Sequence, residues 1–188
     1  IVKWIIFLFL TCLILLIVAG VIIPQVTLKI ASHKKATAKP IMTISSSAFT
    51  NDQAIPSKFT CDGSDVNPPL IFIDIPKEAK SLILLVDDPD APSGTWHHWT
   101  IYNMSSDTKE IRENSKPPSG IEGLTSFGKK GYGGPCPPSG VHNYIFKLYA
   151  LDSMLELPDN ATYNEIQSAM DIHIIDKAEL IGKYSRVK

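Results

Sequence analysis

The chain has 188 residues, a net charge of −1 and 44% hydrophobic residues. That length accommodates one ordinary domain with an appendage. The near-neutral balance supplies no basic field for a polyanion, so nucleic acid is not an expected partner.

From Trp4 to Ile23 there is no charged residue, and only Thr11, Cys12 and Gly20 break the apolar run. At ~1.5 Å per residue such a helix crosses a hydrocarbon core of ~30 Å. Residues 4–23 are therefore expected to be a single transmembrane anchor behind a three-residue tip. A cleaved signal peptide is the competing reading. Its apolar core is usually ~7–15 residues and ends at a small-x-small site, whereas Ile22-Ile23-Pro24-Gln25-Val26 follows here. Leu10-Thr11 ahead of Cys12 is also a poor lipoprotein signal. Lys29, Lys34, Lys35 and Lys39 follow the span and Lys3 precedes it, which the positive-inside rule reads as a cytoplasmic domain. A short N-terminal anchor before a folded domain more often exports that domain, and extracytoplasmic placement is the expectation adopted. Residues 24–40, rich in Lys, Ala and Thr, read as a juxtamembrane linker, and 41–188 as the folded domain.

Short β-type runs divided by turn residues fill that domain. Strands are expected within Ile41–Phe49, Pro69–Ile73, Ser81–Val86, Trp99–Met104 and Tyr144–Leu151, from their β-branched and aromatic content. Ser81–Val86 is continuously apolar and so reads as buried on both faces. Asp107–Phe127 is polar and contains Pro and Gly, so it reads as a long excursion wrapping the sheet. Thr162-Tyr163-Asn164-Glu165 is a capping box, and Ile166, Ala169 and Met170 then share one helical face. Alternation over Ala178–Tyr184 predicts a closing strand. The fold class is mainly β, a sandwich with one or two peripheral helices.

Two Pro/Gly-rich segments carry the chemistry. The first runs from Asp87-Asp88-Pro89-Asp90 through Pro92 to Trp96-His97-His98-Trp99; the second runs from Gly128 through Gly131-Tyr132-Gly133-Gly134-Pro135-Cys136 to His142-Asn143-Tyr144. Rigid loops at strand ends are where binding sites are usually built. Asp88 can orient an imidazole, while Asp90 between two prolines reads as an Asx-turn residue. His97 and His98 are adjacent and face opposite sides of a strand, whereas His142 and Tyr144, two apart, share a face. Imidazole and phenol donors suit a phosphate or carboxylate, and Gly131, Gly133 and Gly134 can turn backbone amides toward an anion. A protonated His in this role predicts affinity that falls as pH rises.

Catalysis is not expected. Neither Ser93 nor Ser139 sits in a nucleophile elbow, and Cys136 between two prolines reads as constrained rather than activated; a hydrolase is the minor alternative. Without His-x-x-x-His or Cys-x-x-Cys spacing, no metal is expected, nor is a cofactor. With Cys12 in the anchor, Cys61 and Cys136 form a candidate disulfide or stand as two thiols; spacing alone does not choose.

At these two loops the chain resembles the phosphatidylethanolamine-binding protein family, in particular its bacterial and archaeal Raf-kinase-inhibitor-like branch. The matching segments are Asp88-Pro89-Asp90-Ala91-Pro92, Trp96-His97-His98-Trp99 and Gly131-Tyr132-Gly133-Gly134-Pro135 through Gly140-x-His142-x-Tyr144. Thr60-Cys61-Asp62-Gly63, Asn67-Pro68-Pro69-Leu70 and Leu148-Tyr149-Ala150-Leu151-Asp152 match further, so the likeness spans roughly Ile44 to Arg186. It implies a β-sandwich with a small anion pocket lined by Asp88, Pro92, Trp96, His98, Gly133, Pro135, His142 and Tyr144, with His97 facing away. The chain departs from animal and plant members in its short Pro92–Trp96 stretch, and no long helix follows Ile172–Arg186. The resemblance implies a non-enzymatic module for phosphate-like or phospholipid head groups; the anchor expected at 4–23, an addition the family pattern does not contain, would tether it to a membrane. The alternative it implies is an inhibitor or regulator of a protease or kinase, acting through the loops around the pocket.

Overall fold

One strand, Ser81–Asp88, is buried along its whole length, and the other elements are laid out around it. The computed structural model describes residues 40–186. In chain order the strands are β1 (Thr43–Ser45), β2 (Gln53–Ala54), β3 (Leu70–Ile73), β4 (Ser81–Asp88), β5 (Trp96–Ser105), β6 (Glu110–Ile111), β7 (Ile121–Glu122), β8 (His142–Leu151) and β9 (Ile174–Tyr184), with helix α1 (Tyr163–Met170) before β9. They form a six-stranded sheet of order β2-β9-β8-β4-β5-β7 and a three-stranded sheet of order β1-β3-β6. All pairings are antiparallel except β2 with β9. The domain is mainly β with one α-helix among the described residues.

The period-2 rule sorts the side chains into two cores. Leu82, Leu84 and Val86 point from β4 toward the small sheet, where they meet Ile44, Leu70 and Phe72 together with Phe146 and Leu148 of β8. Ile83 and Leu85 point the other way and pack with Tyr102, Leu151, Ile166 and Met170 beneath α1. The result is three layers: small sheet, large sheet and helix. A continuous apolar run is what a central strand covered on both faces requires.

Helix α1 begins as the capping box predicts. The Thr162 hydroxyl accepts from the Glu165 amide, and the Glu165 carboxylate accepts from the Thr162 amide at 2.7 Å. Asp87, at the end of β4, ties this helix to the sheet. Its side chain is 1% exposed and takes bonds from His97 Nδ1 at 2.8 Å, Lys147 Nζ at 2.9 Å and the Tyr163 hydroxyl at 3.1 Å. The His97 and Tyr163 rings stack with centroids 3.4 Å apart. Burial alone would raise the Asp87 carboxyl, but the bonds from His97 and Lys147 outweigh it and hold the group below its usual value.

The excursion expected over Asp107–Phe127 contains two short strands. β6 extends the small sheet beside β3 and β7 extends the large sheet beside β5, so this segment joins the two layers. β2 was not anticipated either; it lies parallel to β9 through Gln53 and Ala54. The anchor at 4–23 and, apart from Pro40, the linker at 24–40 lie outside the described residues. Among the described residues no helix is long and apolar enough to cross a membrane.

Two stability measurements check this account. Thr162→Ala should cost about 1 kcal/mol in urea unfolding, the usual worth of an N-cap. Asp87→Asn should cost a few kcal/mol at pH 7, toward the lower end of the ~3–5 kcal/mol lost when a buried ion pair is broken, because Lys147 is 22% exposed. Since the folded carboxyl is depressed, its contribution is complete above the unfolded value of ~4 and disappears as pH falls below it. Between pH 5 and pH 2 the wild type should therefore lose more stability than Asp87→Asn; equal losses would remove Asp87 from the acid response.

Candidate functional site

Consecutive residues on a strand face opposite ways, and β4 ends in two consecutive carboxylates. Asp87 points toward α1; Asp88 points to the other face, where its Oδ2 lies 2.7 Å from His142 Nδ1. Both partners are nearly buried, at 5% and 8% side-chain exposure. Asp88 Oδ1 accepts from the Asp90 amide at 2.9 Å, so the turn after β4 sets the carboxylate's orientation. An ionised carboxylate only accepts, so Nδ1 of His142 carries the proton and Nε2 is the nitrogen left for the pocket.

His98, on β5, is held by a different acceptor. Its Nδ1 lies 2.6 Å from the Gly133 carbonyl oxygen, and a carbonyl can only accept, so Nδ1–H is fixed here too. Burial pushes the His98 imidazole below its usual value, outweighing the Gly133 bond and the neighbouring carboxylates that act the other way. His98 is thus neutral near pH 7 and offers a lone pair at Nε2. Its burial and the Gly133 carbonyl make it an acceptor toward the pocket.

Between these side chains lies a cavity of about 260 Å³. Asp88, Pro92, Trp96, His98 and His142, all expected to line it, do so. Gly133, Pro135 and Tyr144 do not. Gly133 sits behind the wall, where it exchanges backbone and side-chain bonds with His98; a Cβ there would collide with the Phe127 ring. Pro135 lends its carbonyl to the Cys61 amide at 3.1 Å. Tyr144 lies one layer deeper, edge-on to His98 with centroids 5.2 Å apart. Its buried hydroxyl lies near the Asp88 carboxylate and the Cys136 backbone but makes no hydrogen bond of good geometry, and burial, then the charge of Asp88, push its phenol well above the usual tyrosine range.

Ala91, Ser93, Phe127, Cys136 and Pro138 complete the lining and were not anticipated. Phe127 closes one side, edge-on to both Trp96 and His98 at 5.4 Å; a half-exposed aromatic between polar residues and Gly128 was the available signal. Lys129 lies over the Phe127 ring, with Nζ 5.8 Å from the ring centre, and is not among the lining residues. No lysine or arginine lines the cavity itself.

The second Gly/Pro loop is clamped from behind. Cys136 is disulfide-bonded to Cys61. The Gly134 amide donates to Asp65 Oδ1 at 2.6 Å, and the Tyr132 hydroxyl donates to the Phe59 carbonyl at 2.9 Å. A Cβ on Gly134 would run into Asp65 and the Phe59 carbonyl, so only glycine allows this approach. Asp90 serves a parallel purpose on the first loop: its Oδ2 accepts from the Asn143 amide and side chain, both at 2.8 Å. It is a staple to β8 rather than the Asx-turn residue expected from the sequence; the side-chain bond to the amide two residues on is made by Asp88 instead.

A wider groove of about 470 Å³ lies across the same loop, beside Asp65, Trp99, Glu122 and Tyr132. It is larger, but it contains neither imidazole. Among the described residues no group of three or more His, Cys, Asp or Glu side chains could hold a metal ion.

Residues 45–185 match the family model for phosphatidylethanolamine-binding protein. A UPF0098 protein of Methanothermobacter thermautotrophicus is 45% identical over 150 residues, covering 77% of this chain and 99% of its own. Another from Pyrococcus abyssi is 49% identical over 150 residues, covering 75% and 84%. Among solved structures, a phosphatidylethanolamine-binding protein homolog from Chlamydia trachomatis superposes with a TM-score of 0.75 at 41% identity, covering 78% of this chain and 99% of its own. E. coli YbcL, described as a member of the mammalian family of such proteins, gives 0.74 at 25% identity, covering 79% and 100%. With its fold, its two loop motifs and its imidazole-lined pocket, the chain belongs to the phosphatidylethanolamine-binding protein family.

Proposed function

We propose that this chain is a non-enzymatic binding module for phosphate-like ligands or phospholipid head groups. The observation that carries the reading is the pairing of two differently held imidazoles, His98 and His142, across one small pocket. With a carboxylate behind Nδ1, His142 can take a second proton on Nε2 and donate to an anion. Loop amides and the Ser93 hydroxyl are further donors at hand. The unpartnered Tyr144 hydroxyl lies just behind, where a buried unsatisfied donor costs ~1–3 kcal/mol and a ligand oxygen reaching it would offset that cost.

Binding without turnover is favoured by the fate of Cys136. The thiol best placed beside His142 is spent in a disulfide, so no thiolate is available as a nucleophile. The same disulfide favours an oxidising compartment. Together with the apolar run at 4–23, it supports a module tethered to a membrane and facing away from the cytoplasm.

A second reading, an inhibitor or regulator of a protease or kinase, draws on the rim. Phe127 and Val141 are 40% and 63% exposed, and exposed apolar side chains around a pocket suit a protein partner.

Calorimetric titration of the full chain with phosphoethanolamine tests the first reading. Saturable binding is expected, weakened about 10- to 100-fold by His142→Ala, the ~1.5–3 kcal/mol of a charge-assisted bond, and about threefold or more by Tyr144→Phe. No binding by a folded protein would move the assignment to a protein partner. Turnover of phospho- or carboxyl-ester substrates that depends on His98 or His142 would contradict the non-enzymatic reading.

A further inference from the structure

The pocket is unusual for an anion site because its fixed groups are mostly acceptors. Asp88 contributes a carboxylate, and the lining has no lysine or arginine to offset it. His98 has its Nδ1–H committed to the Gly133 carbonyl, and its burial disfavours a second proton, which leaves the Nε2 lone pair for the pocket. His142, backed by Asp88 at 2.7 Å, is the imidazole that can donate. One side of the cavity therefore asks a ligand for an acceptor oxygen and the other asks it for a proton.

The surroundings of His98 reinforce that asymmetry. The charged and titratable groups around it are Asp88 from β4, with Asp87 acting through the sheet from the opposite face, His142 and Tyr144 from β8, and Asp65 from the loop before β3. Three of these five are carboxylates. Lys129, over the Phe127 ring, is not among the lining residues. A dianion here would bring two charges against Asp88 with no fixed cation in the lining, and burying charge without a partner is costly.

Building on the head-group reading above, we propose that the pocket takes phosphate monoesters in their singly protonated form. The ligand's own P–OH donates to His98 Nε2 while a second phosphate oxygen accepts from His142. Anions that carry no such proton are refused. A site built to receive a hydrogen bond rejects an analogue lacking the donor because its own buried acceptor is then left unpaired. The shared chemistry is a phosphomonoester, whether free or as the head group of a lipid.

The test is a calorimetric panel on the full chain, without substitutions, in phosphate-free buffer. Glycerol 3-phosphate carries the P–OH; dimethyl phosphate has the same single negative charge and no proton; sulfate has two charges and no proton. Binding of glycerol 3-phosphate at pH 5.5 is expected to be on the order of 100-fold tighter than that of either other anion. It should weaken about tenfold per pH unit above the monoester's second pKa of about 6. Short-chain phosphatidic acid in the same series separates lipid from free ligand: tighter binding than glycerol 3-phosphate assigns a lipid head group, and equal binding assigns the free ester. Equal affinity for all three small anions would overturn proton reading and leave the anion pocket standing. Sulfate binding that weakens over the same pH range would overturn the proton reading as well, because a donor imidazolium at His98 needs no proton from the ligand. Failure of every ligand to bind would overturn both.

Discussion

The alternation of side chains at the end of β4 is the constraint on which the rest depends. Asp87 and Asp88 are adjacent, so they cannot face the same way, and each holds one imidazole through Nδ1 at 2.8 and 2.7 Å. Asp87 with His97, Lys147 and Tyr163 fastens the helix to one face of the large sheet. Asp88 with His142 builds the pocket on the other. A register slip of one residue in β4 would exchange these roles and turn every apolar side chain of the strand to the wrong core. Two cores that hold Ile83 and Leu85 on one side and Leu82, Leu84 and Val86 on the other prevent that slip.

Pocket geometry then follows from how each loop is anchored. Asp90 staples the first loop to Asn143. The second is fastened by the Cys61–Cys136 bond, by Asp65 on the Gly134 amide and by Tyr132 on the Phe59 carbonyl. Side chains positioned by such networks lose little conformational freedom when a ligand arrives, which is the advantage of preorganisation. The cost is a buried donor, Tyr144, left without a partner. Departures from full hydrogen-bond satisfaction in a native protein call for a physical account, and here the unsatisfied hydroxyl sits directly behind the two imidazoles.

Much of this was legible in the sequence, for reasons tied to particular residues. Ser81–Val86 could be read as a strand buried on both faces because nothing polar interrupts it. The opposed His97 and His98, and the shared face of His142 and Tyr144, follow from the strand period alone. Thr162 and Glu165 spell out their own cap. What escaped were features set by distant partners. β2, β6 and β7 are two residues each, too short for any periodicity to register. Gly133 and Pro135 could be placed near the pocket but not behind its wall, because that depends on Phe127 and Cys61 arriving from elsewhere in the chain. The acceptor character of His98 was equally invisible, since the carbonyl that creates it belongs to a residue 35 positions away.

The central claim is that the two pocket imidazoles are held in defined tautomers, with His98 neutral and its lone pair turned inward. Long-range ¹H–¹⁵N correlation spectroscopy of the histidine side chains at pH 7 tests it most directly. The hydrogen bonds place a proton on His98 Nδ1 and on His142 Nδ1 toward Asp88, and the burial of His98 favours its neutral form with Nε2 unprotonated. A His98 found protonated on Nε2, or doubly protonated at that pH, would contradict the account.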